Sequence, residues 1–363
     1  MIFSVFTMLG LVSLLIIAHE LGHFTVARRC GVRVERFGFG LPFGPTLWSK
    51  KFGETEYCIH PLLFGGYVSF PDDNPDSTIP KDSKERLENQ PAWNRFCVMV
   101  AGVTVNAILG WLLMTYVFLG WGIPTLKGED VKIVQTLSAK APAAKAGILA
   151  NDKVLSIEGI RLSKLPKEER LQTVSKTIQS LPEKPVHLSI LRAQKELPIT
   201  VTPSKEGTIG IQLQLGEVVN EYPVDPIRAS GESFTYLSRL VVMNFEALGK
   251  LITGKGDPSQ LSGPIRIVDV GSQMIQQKGI QEGLRLSAII SVILAVMNLL
   301  PIPALDGGHI LFLAIEVLKG SPVKREIQEG FVQVGFMGLL ALMGFVLWND
   351  IYNTWLGPLG LFK

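Results

Sequence analysis

Four long stretches of mainly apolar residues divide the chain. A hydrocarbon core about 30 Å thick takes about 20 helical residues to cross, and stretches near that length lie at residues 1–27, 96–123, 286–318 and 331–348. In the third, Pro301 and Pro303 interrupt the pattern ahead of Asp306, which predicts a broken helix. The sequence therefore predicts a polytopic α-helical membrane protein with about four transmembrane helices.

The segments between these stretches have other patterns. Residues 28–95 begin with short β-prone runs rich in glycine, which predict a membrane-associated β-hairpin, and continue as a polar, proline-rich mobile linker or loop. Residues 127–219 alternate strand-like runs with two helical patterns and predict a compact α+β domain. Residues 225–283 contain an amphipathic helix, which lies against the membrane or packs on the other helices, and an "SGPI" segment.

Positive charges at the ends of the apolar stretches predict their orientation, because Lys and Arg accumulate on the cytoplasmic side. The hairpin region then lies in the cytoplasm, and the α+β domain and both termini lie outside. The first stretch lacks the basic start and small-residue exit of a signal peptide, so we expect it to be retained. The charges are Arg28, Arg29, Arg95, Lys319, Lys324 and Arg325.

Composition excludes some classes of function. The mean hydropathy of +0.30 is high for a soluble protein. The net charge is only +3 over 363 residues and no dense basic stripe is present, so we expect no nucleic-acid partner. Cys30, Cys58 and Cys97 form no CxxC pair, so neither a disulfide framework nor a thiolate zinc site is implied.

The first apolar stretch contains the main chemical signal. In "LLIIAHELGHFTVA", residues 14–27, His19 and His23 are four residues apart and share one face of a helix with Glu20 beside them. This HExxH pattern offers two nitrogen ligands for Zn²⁺ and a carboxylate that accepts a proton from water. The alternative is that the histidines are hydrogen-bonded partners between helices. Ionisable groups at membrane depth cost about 2.5 kcal/mol or more each, which favours the functional interpretation.

A third ligand has to come from elsewhere, because catalytic zinc usually has three protein ligands and one open position. Asp306 is the best candidate, since it follows the helix break within an apolar span. His309 in the same turn is a weaker rival. The alternative for Asp306 is a turn-forming Asp-Gly outside the bilayer. With these ligands, Glu20 accepts a proton from water and returns it to the leaving amine during hydrolysis of a peptide bond.

The chain resembles the site-2 protease family of intramembrane zinc metalloproteases, particularly its bacterial regulator-of-sigma-E protease branch. The resemblance covers nearly the whole chain: "HELGH", "ERFGFG", "LFGGYV", "AGVTVNAILG", "LSGPI" and "NLLPIPALDGGH" occur in the family's order. It implies that His19, His23 and Asp306 bind Zn²⁺ and that Glu20 is the catalytic base.

The resemblance also implies supporting residues. Asn106 in the second helix and Asn298, Pro301 and Pro303 before the aspartate match the family's supporting positions. The hairpin around Gly38 and Gly40 resembles a loop thought to hold the substrate as an added strand. Asn106 lies between small residues, so ordinary helix packing is the alternative for it.

The family resemblance further implies that the outer domain is PDZ-like, with "AKAPAAKAGILANDKVLSIEG" as its most recognisable part and room for one module. It shows no clear carboxylate-binding loop, so a steric gate is at least as plausible as peptide capture. The implied function is regulated intramembrane proteolysis in the bacterial inner membrane, as in stress responses. The implied partners are the lipid bilayer and single-pass membrane proteins, such as anti-sigma factors or remnant signal peptides, trimmed first by another protease.

Three other functions remain open at this stage. The chain could be a membrane-anchored zinc protease that acts on soluble substrates, although the apolar surroundings of both motifs count against it. It could be a non-enzymatic scaffold that presents a PDZ module, which would have no need of Glu20. A metal transporter would be expected to show internal repeats, and none is evident.

Overall fold

The computed structural model describes residues 2–41, 45–136, 141–254 and 263–352. The chain divides into two compact units: Met1–Gly120 with Asp225–Lys363 (unit 1), and Trp121–Val224 (unit 2). The sequence placed the α+β domain at residues 127–219, within unit 2. Unit 1 contains the helices α1 Ile2–Arg29, α2 Ala92–Trp121, α5 Pro226–Ile252, α6 Pro264–Lys278, α7 Ile280–Asn298, α8 Asp306–Lys319 and α9 Arg325–Ile351.

Four of the described helices are long and apolar enough to cross a membrane: α1, α2, α7 and α9. This confirms the prediction of about four membrane-crossing helices. Their bounds differ from the apolar stretches by a few residues, because a helix continues into polar flanks as long as its backbone hydrogen bonds continue. The exceptions are α7 and α9, which each begin six residues before the predicted starts at residues 286 and 331.

The third apolar stretch is two helices. α7 begins at Ile280, ends at Asn298 and is separated by residues 299–305 from α8. Pro301 and Pro303 lack backbone N–H groups for a helical ladder, and Ala304 has a φ of 72°, which no α-helix allows. The break therefore leaves Asp306 as the first residue of a new helix.

The helix α6 was not predicted as a separate element. It begins directly after Gly263 with Pro264, a favoured first residue of a helix. Asp350 at the end of α9 is fully buried and accepts hydrogen bonds from the backbone N–H groups of Gly263 and Arg266, both at 3.0 Å. A carboxylate from another helix therefore satisfies the free N–H groups at the start of α6.

The segment between α1 and α2 contains a four-stranded mixed sheet, so the prediction of a simple hairpin is wrong. Two glycine-rich strands, residues 36–41 (β1) and 62–69 (β4), pair antiparallel with each other. The chain between them forms a hairpin of residues 48–52 (β2) and 55–59 (β3), and β3 pairs parallel with β1. The order is β2-β3-β1-β4, which leaves β4 at an edge. The strands are β1 Arg36–Leu41, β2 Trp48–Phe52, β3 Thr55–Ile59 and β4 Leu62–Ser69.

The proline-rich segment after β4 is a loop held by its own hydrogen bonds. The Arg86 side chain is 8% exposed and donates to the carbonyl oxygens of Pro71, Ile79 and Pro80. Glu35 accepts hydrogen bonds from the side chains of Asn74 and Ser77, among other contacts in the loop. These hydrogen bonds fix the segment against the sheet. Of the two predicted possibilities, a mobile linker or a loop, the structure shows a loop.

Unit 2 is an antiparallel sheet of order β10-β5-β6-β8-β9, with the short β7 paired to β6. The predicted strand-like runs and both helical patterns lie in these elements, although residues 139 and 140 of the PDZ-like motif are outside the described part. The core is apolar, and the buried Asp152 accepts two hydrogen bonds from Arg192 at 2.7 and 2.6 Å. The elements are β5 Ile123–Thr136, α3 Pro142–Lys145, β6 Lys153–Ile157, β7 Ile160–Arg161, α4 Lys167–Ser180, β8 Val186–Arg192, β9 Lys195–Val201 and β10 Ile211–Glu221.

Candidate metal centre

His19 and His23 lie on one face of α1, as their spacing predicts. One helical turn separates them, and their Nε2 atoms are 3.2 Å apart. Both side chains are 12% exposed. Two imidazole nitrogens therefore converge on one point beside the helix.

Asp306 reaches the same point from α8. Its Oδ2 atom lies 3.3 Å from Nε2 of His19 and 3.5 Å from Nε2 of His23. Among the described residues, these three form the one group of His, Cys, Asp or Glu side chains arranged to hold a metal ion. His309, the rival ligand, is exposed on α8 and is not part of the group.

The donor set fits a zinc ion. Three ligands at about 2.0–2.1 Å from a tetrahedral Zn²⁺ lie about 3.3 Å from one another, and the observed separations of 3.2, 3.3 and 3.5 Å match this spacing. Oδ2 of Asp306 is buried and has no hydrogen-bond partner among the described residues. A metal ion shared with the two imidazole nitrogens would satisfy this buried carboxylate oxygen.

The protein fixes the orientation of the His23 ring. Nδ1 of His23 is 2.7 Å from the carbonyl oxygen of Val98 on α2. A carbonyl only accepts, so Nδ1 carries the proton in this bond, and the Nε2 lone pair of the neutral ring points toward the metal position. The site is thus assembled from α1, α2 and α8.

Gly102 on α2 lets this helix approach the two histidines. A Cβ at this position would lie 2.4 Å from Nε2 of His23 and 2.6 Å from Cε1 of His19. In the sequence, Gly102 is only one of the small residues on either side of Asn106. Its place in the "AGVTVNAILG" motif is the sequence feature that could have indicated its contact with the histidines.

Glu20 lies between the ligands and the sheet. Its carboxylate interacts electrostatically with His19, His23 and Asp306. Its Cγ would be 2.7 Å from a Cβ at Gly66 of β4, so the absence of a side chain at Gly66 makes room for it. The edge strand of the sheet consequently runs directly beside the proposed catalytic base.

Gly38 and Gly40 are in β1, whose two edges are paired with β3 and β4. Gly38 makes room for the Tyr67 ring, which would overlap any Cβ at that position. The Tyr67 hydroxyl is 3.1 Å from Nε2 of His60. Burial, followed by the neighbouring Cys58, raises the pKa of Tyr67 to about 12.

The other predicted supporting residues divide into two groups. Asn298 is near the ligands, with its Nδ2 atom 3.3 Å from Nε2 of His19, while Pro301 and Pro303 shape the break before Asp306. Asn106 is buried on α2, and its backbone carbonyl accepts a hydrogen bond from Ser291 on α7. The Oδ1 atom of its side chain is buried without a hydrogen-bond partner among the described residues, so both interpretations of Asn106 stay predictions.

Comparison with known proteins gives a consistent result. Residues 7–342 match the model of peptidase family M50. A protein of Nostoc sp. named as a candidate zinc metalloprotease is 37% identical over 95% of this chain and 94% of its own length. A membrane metalloprotease of Arabidopsis thaliana, named as chloroplastic, is 30% identical over 96% of this chain and 78% of its own length. A candidate zinc metalloprotease of Agrobacterium fabrum is 30% identical over 93% of each chain.

Proposed function

The chain belongs to peptidase family M50, the site-2 protease family of membrane zinc metalloproteases, and on this premise we propose that it hydrolyses peptide bonds within transmembrane segments of single-pass membrane proteins. The observation that carries the proposal is the convergence of Nε2 of His19, Nε2 of His23 and Oδ2 of Asp306. Two of these residues lie within a helix long and apolar enough to cross a membrane. A hydrolytic centre at that position is close to substrates that reside in the bilayer.

The proposed mechanism assigns one task to each residue. His19, His23 and Asp306 would hold the Zn²⁺ ion, which would supply an activated water and polarise the scissile carbonyl. Val98 keeps the His23 ring in the tautomer with a free Nε2. The Glu20 carboxylate accepts a proton from the attacking water and then donates it to the amine nitrogen of the leaving peptide.

The sheet supports a way to present the substrate. A peptide bond in a helix is hydrogen-bonded and shielded, whereas an added strand exposes its backbone to attack. Both edges of β1 are occupied, but β4 is at the edge of the described sheet and Gly66 in it touches Glu20. An extended substrate segment paired with β4 would therefore pass beside Glu20. The proposed docking strand is thus β4 and not β1, which contains Gly38 and Gly40.

Unit 2 supports the assignment of a single PDZ-like domain that acts as a steric gate. Its edge strand β10 lies against α4. A Cβ at Gly207, in the loop before β10, would lie 2.9 Å from the carbonyl oxygen of Gln179 at the end of α4. Helices bind anions at their N-terminal ends, so this contact at the C-terminal end of α4 only shows how tightly the loop packs. The preference for exclusion of bulky ectodomains over peptide capture rests on the sequence, which has no clear carboxylate-binding loop.

The proposed setting is the bacterial inner membrane, with unit 2 and both termini outside the cytoplasm. The proposal includes membership of the regulator-of-sigma-E protease branch and a role in regulated intramembrane proteolysis during stress responses. Its substrates would be anti-sigma factors or remnant signal peptides already trimmed by another protease. The positive charges that flank the apolar helices support this orientation.

The test uses purified, zinc-loaded protein with a transmembrane-segment substrate in lipid vesicles. Glu20→Gln should abolish cleavage while zinc stoichiometry stays at one, because Gln cannot accept the proton but leaves the three ligands in place. Asp306→Asn should lower zinc occupancy. Glu326→Gln, a carboxylate change in the first turn of α9, is the matched control. Cleavage retained by Glu20→Gln would rule out the mechanism.

A second arm separates the intramembrane function from a protease of soluble substrates. The same cleavage sequence is offered as a membrane-spanning segment and as a soluble peptide. The proposal expects cleavage of the membrane-spanning form at a markedly higher kcat/KM. Faster cleavage of the soluble form would favour the alternative.

A further inference from the structure

Arg95 and Glu316 form a two-point ion pair between α2 and α8. Nη1 of Arg95 lies 2.7 Å from Oε1 of Glu316, and Nη2 lies 2.9 Å from Oε2. The side chains are 17% and 20% exposed. Two parallel charge-assisted hydrogen bonds fix both the distance and the relative angle of their partners, which a single contact does not.

The same part of α2 contacts the metal centre at two other points. Val98, three residues after Arg95, orients the His23 ring through its carbonyl oxygen. Gly102, one turn further, lies against the rings of both histidines. Residues 95–102 are therefore a short rigid segment that meets α1 on the ligand side and α8 through Arg95.

Among the described residues, α8 is also attached to α9, through the Phe312 ring at 5.6 Å from that of Phe331. Its buried residues are Gly307, Gly308 and Leu313. Backbone hydrogen bonds of the segment 299–305 hold the first turn of α8, whereas Glu316 lies near its other end. Glu316 is ten residues after Asp306, about 15 Å along the helix axis, so a small tilt of α8 at Glu316 changes the direction of the Asp306 carboxylate at the other end.

We propose that the Arg95–Glu316 pair is a positioning device for the metal centre, which sets α8 against α2 so that Asp306 meets His19 and His23 at the spacing of a zinc site. Neither residue touches the reacting atoms. The inference rests on the proposed function in one respect, the use of Asp306 as the third zinc ligand. It adds two residues that the metal-binding motifs do not contain.

The test measures the zinc dissociation constant of the full-length protein in detergent by competition with a chromogenic chelator. Glu316→Gln and Arg95→Gln should each raise this constant about tenfold to a hundredfold, as expected for changes in groups that orient metal ligands. The double variant Arg95→Glu with Glu316→Arg restores the pair with reversed charges and should return the constant to within a few-fold of the original. Arg33→Gln is the matched control, because Arg33 forms ion pairs with Glu54 and Glu85 only at 3.6 Å.

The possible outcomes separate positioning from general stability. Single variants that melt at lower temperature but bind zinc with unchanged affinity would overturn the proposal, as would a charge-reversed double variant that binds no better than the single ones. If the single variants fail to fold, the double variant alone decides by its zinc affinity. Because the readout is zinc binding, a wild-type protein that binds zinc without cleaving peptides would refute the proposed function and leave this inference standing.

Discussion

Gly102 provides the sharpest test of the metal centre, since Gly102→Ala adds one methyl group between two ligands. This methyl would lie 2.4 Å from Nε2 of His23 and 2.6 Å from Cε1 of His19. Relaxed contacts need about 3.5 Å, so the rings and α2 must separate by about 1 Å. Zinc–ligand distances tolerate only about 0.2 Å, and a displacement of 1 Å costs about a hundredfold in a positioned site.

We therefore expect Gly102→Ala to weaken zinc binding about a hundredfold, or about 2.8 kcal/mol, and to lower peptide hydrolysis at limiting zinc by a similar factor. The assay is a zinc titration against a competing chelator, followed by cleavage of a transmembrane-segment substrate. Gly120→Ala is the matched control, because it changes the same helix and a Cβ at that position meets nothing within 4 Å. A folded Gly102→Ala protein with wild-type zinc affinity would refute the geometry of the site.

Three further predictions concern other parts of the chain. Gly66→Ala places a methyl 2.7 Å from Cγ of Glu20, so turnover should fall about tenfold to a hundredfold while zinc affinity is retained. An equal loss of turnover and zinc affinity would contradict the separate role of Glu20. Asp152→Asn breaks the ion pair of a 2% exposed carboxylate with Arg192 and should destabilise unit 2 by about 3 kcal/mol. Hydrogen exchange in β6 and β8 should become faster, and unchanged exchange would count against the prediction. Because the pKa of Tyr67 is raised from 10.0 to about 12, the unfolded chain loses this proton first, and stability of unit 1 should fall as pH rises from 10 to 12. Chemical denaturation at several pH values measures this, and Tyr67→Phe should make the fall in stability smaller; an equal fall in the variant would contradict the prediction.

Much of the site was predictable because its signals are local. His19, Glu20 and His23 are within one helical turn, so the period of the helix alone brings them together. The membrane-crossing helices follow from the length of their apolar stretches, and the break before Asp306 follows from the missing N–H groups of Pro301 and Pro303. The strand-like runs of unit 2 were recognisable for the same reason, since alternation is a local pattern.

The pairing of strands 36–41 and 62–69 around an inserted hairpin was not predictable from local patterns, because strand order depends on contacts between distant residues. The sequence alone proposed a hairpin with Gly38 and Gly40 as docking residues. The sheet instead gives β1 two paired neighbours and puts β4 at the edge next to Glu20. The helix α6 escaped recognition because its start is stabilised by Asp350 of α9, a partner from another part of the chain.

Local patterns in the sequence were enough to predict the kind of chemistry, since two imidazoles and a carboxylate fall on one helix within an apolar span. How the site is completed follows from the packing of the helices. Asp306 reaches the histidines because α2 packs closely against their rings at Gly102 and is joined to α8 by the Arg95–Glu316 ion pair. Local spacing fixes which side chains share a face of one helix, whereas the meeting of two helices depends on the packing of side chains far apart in the chain.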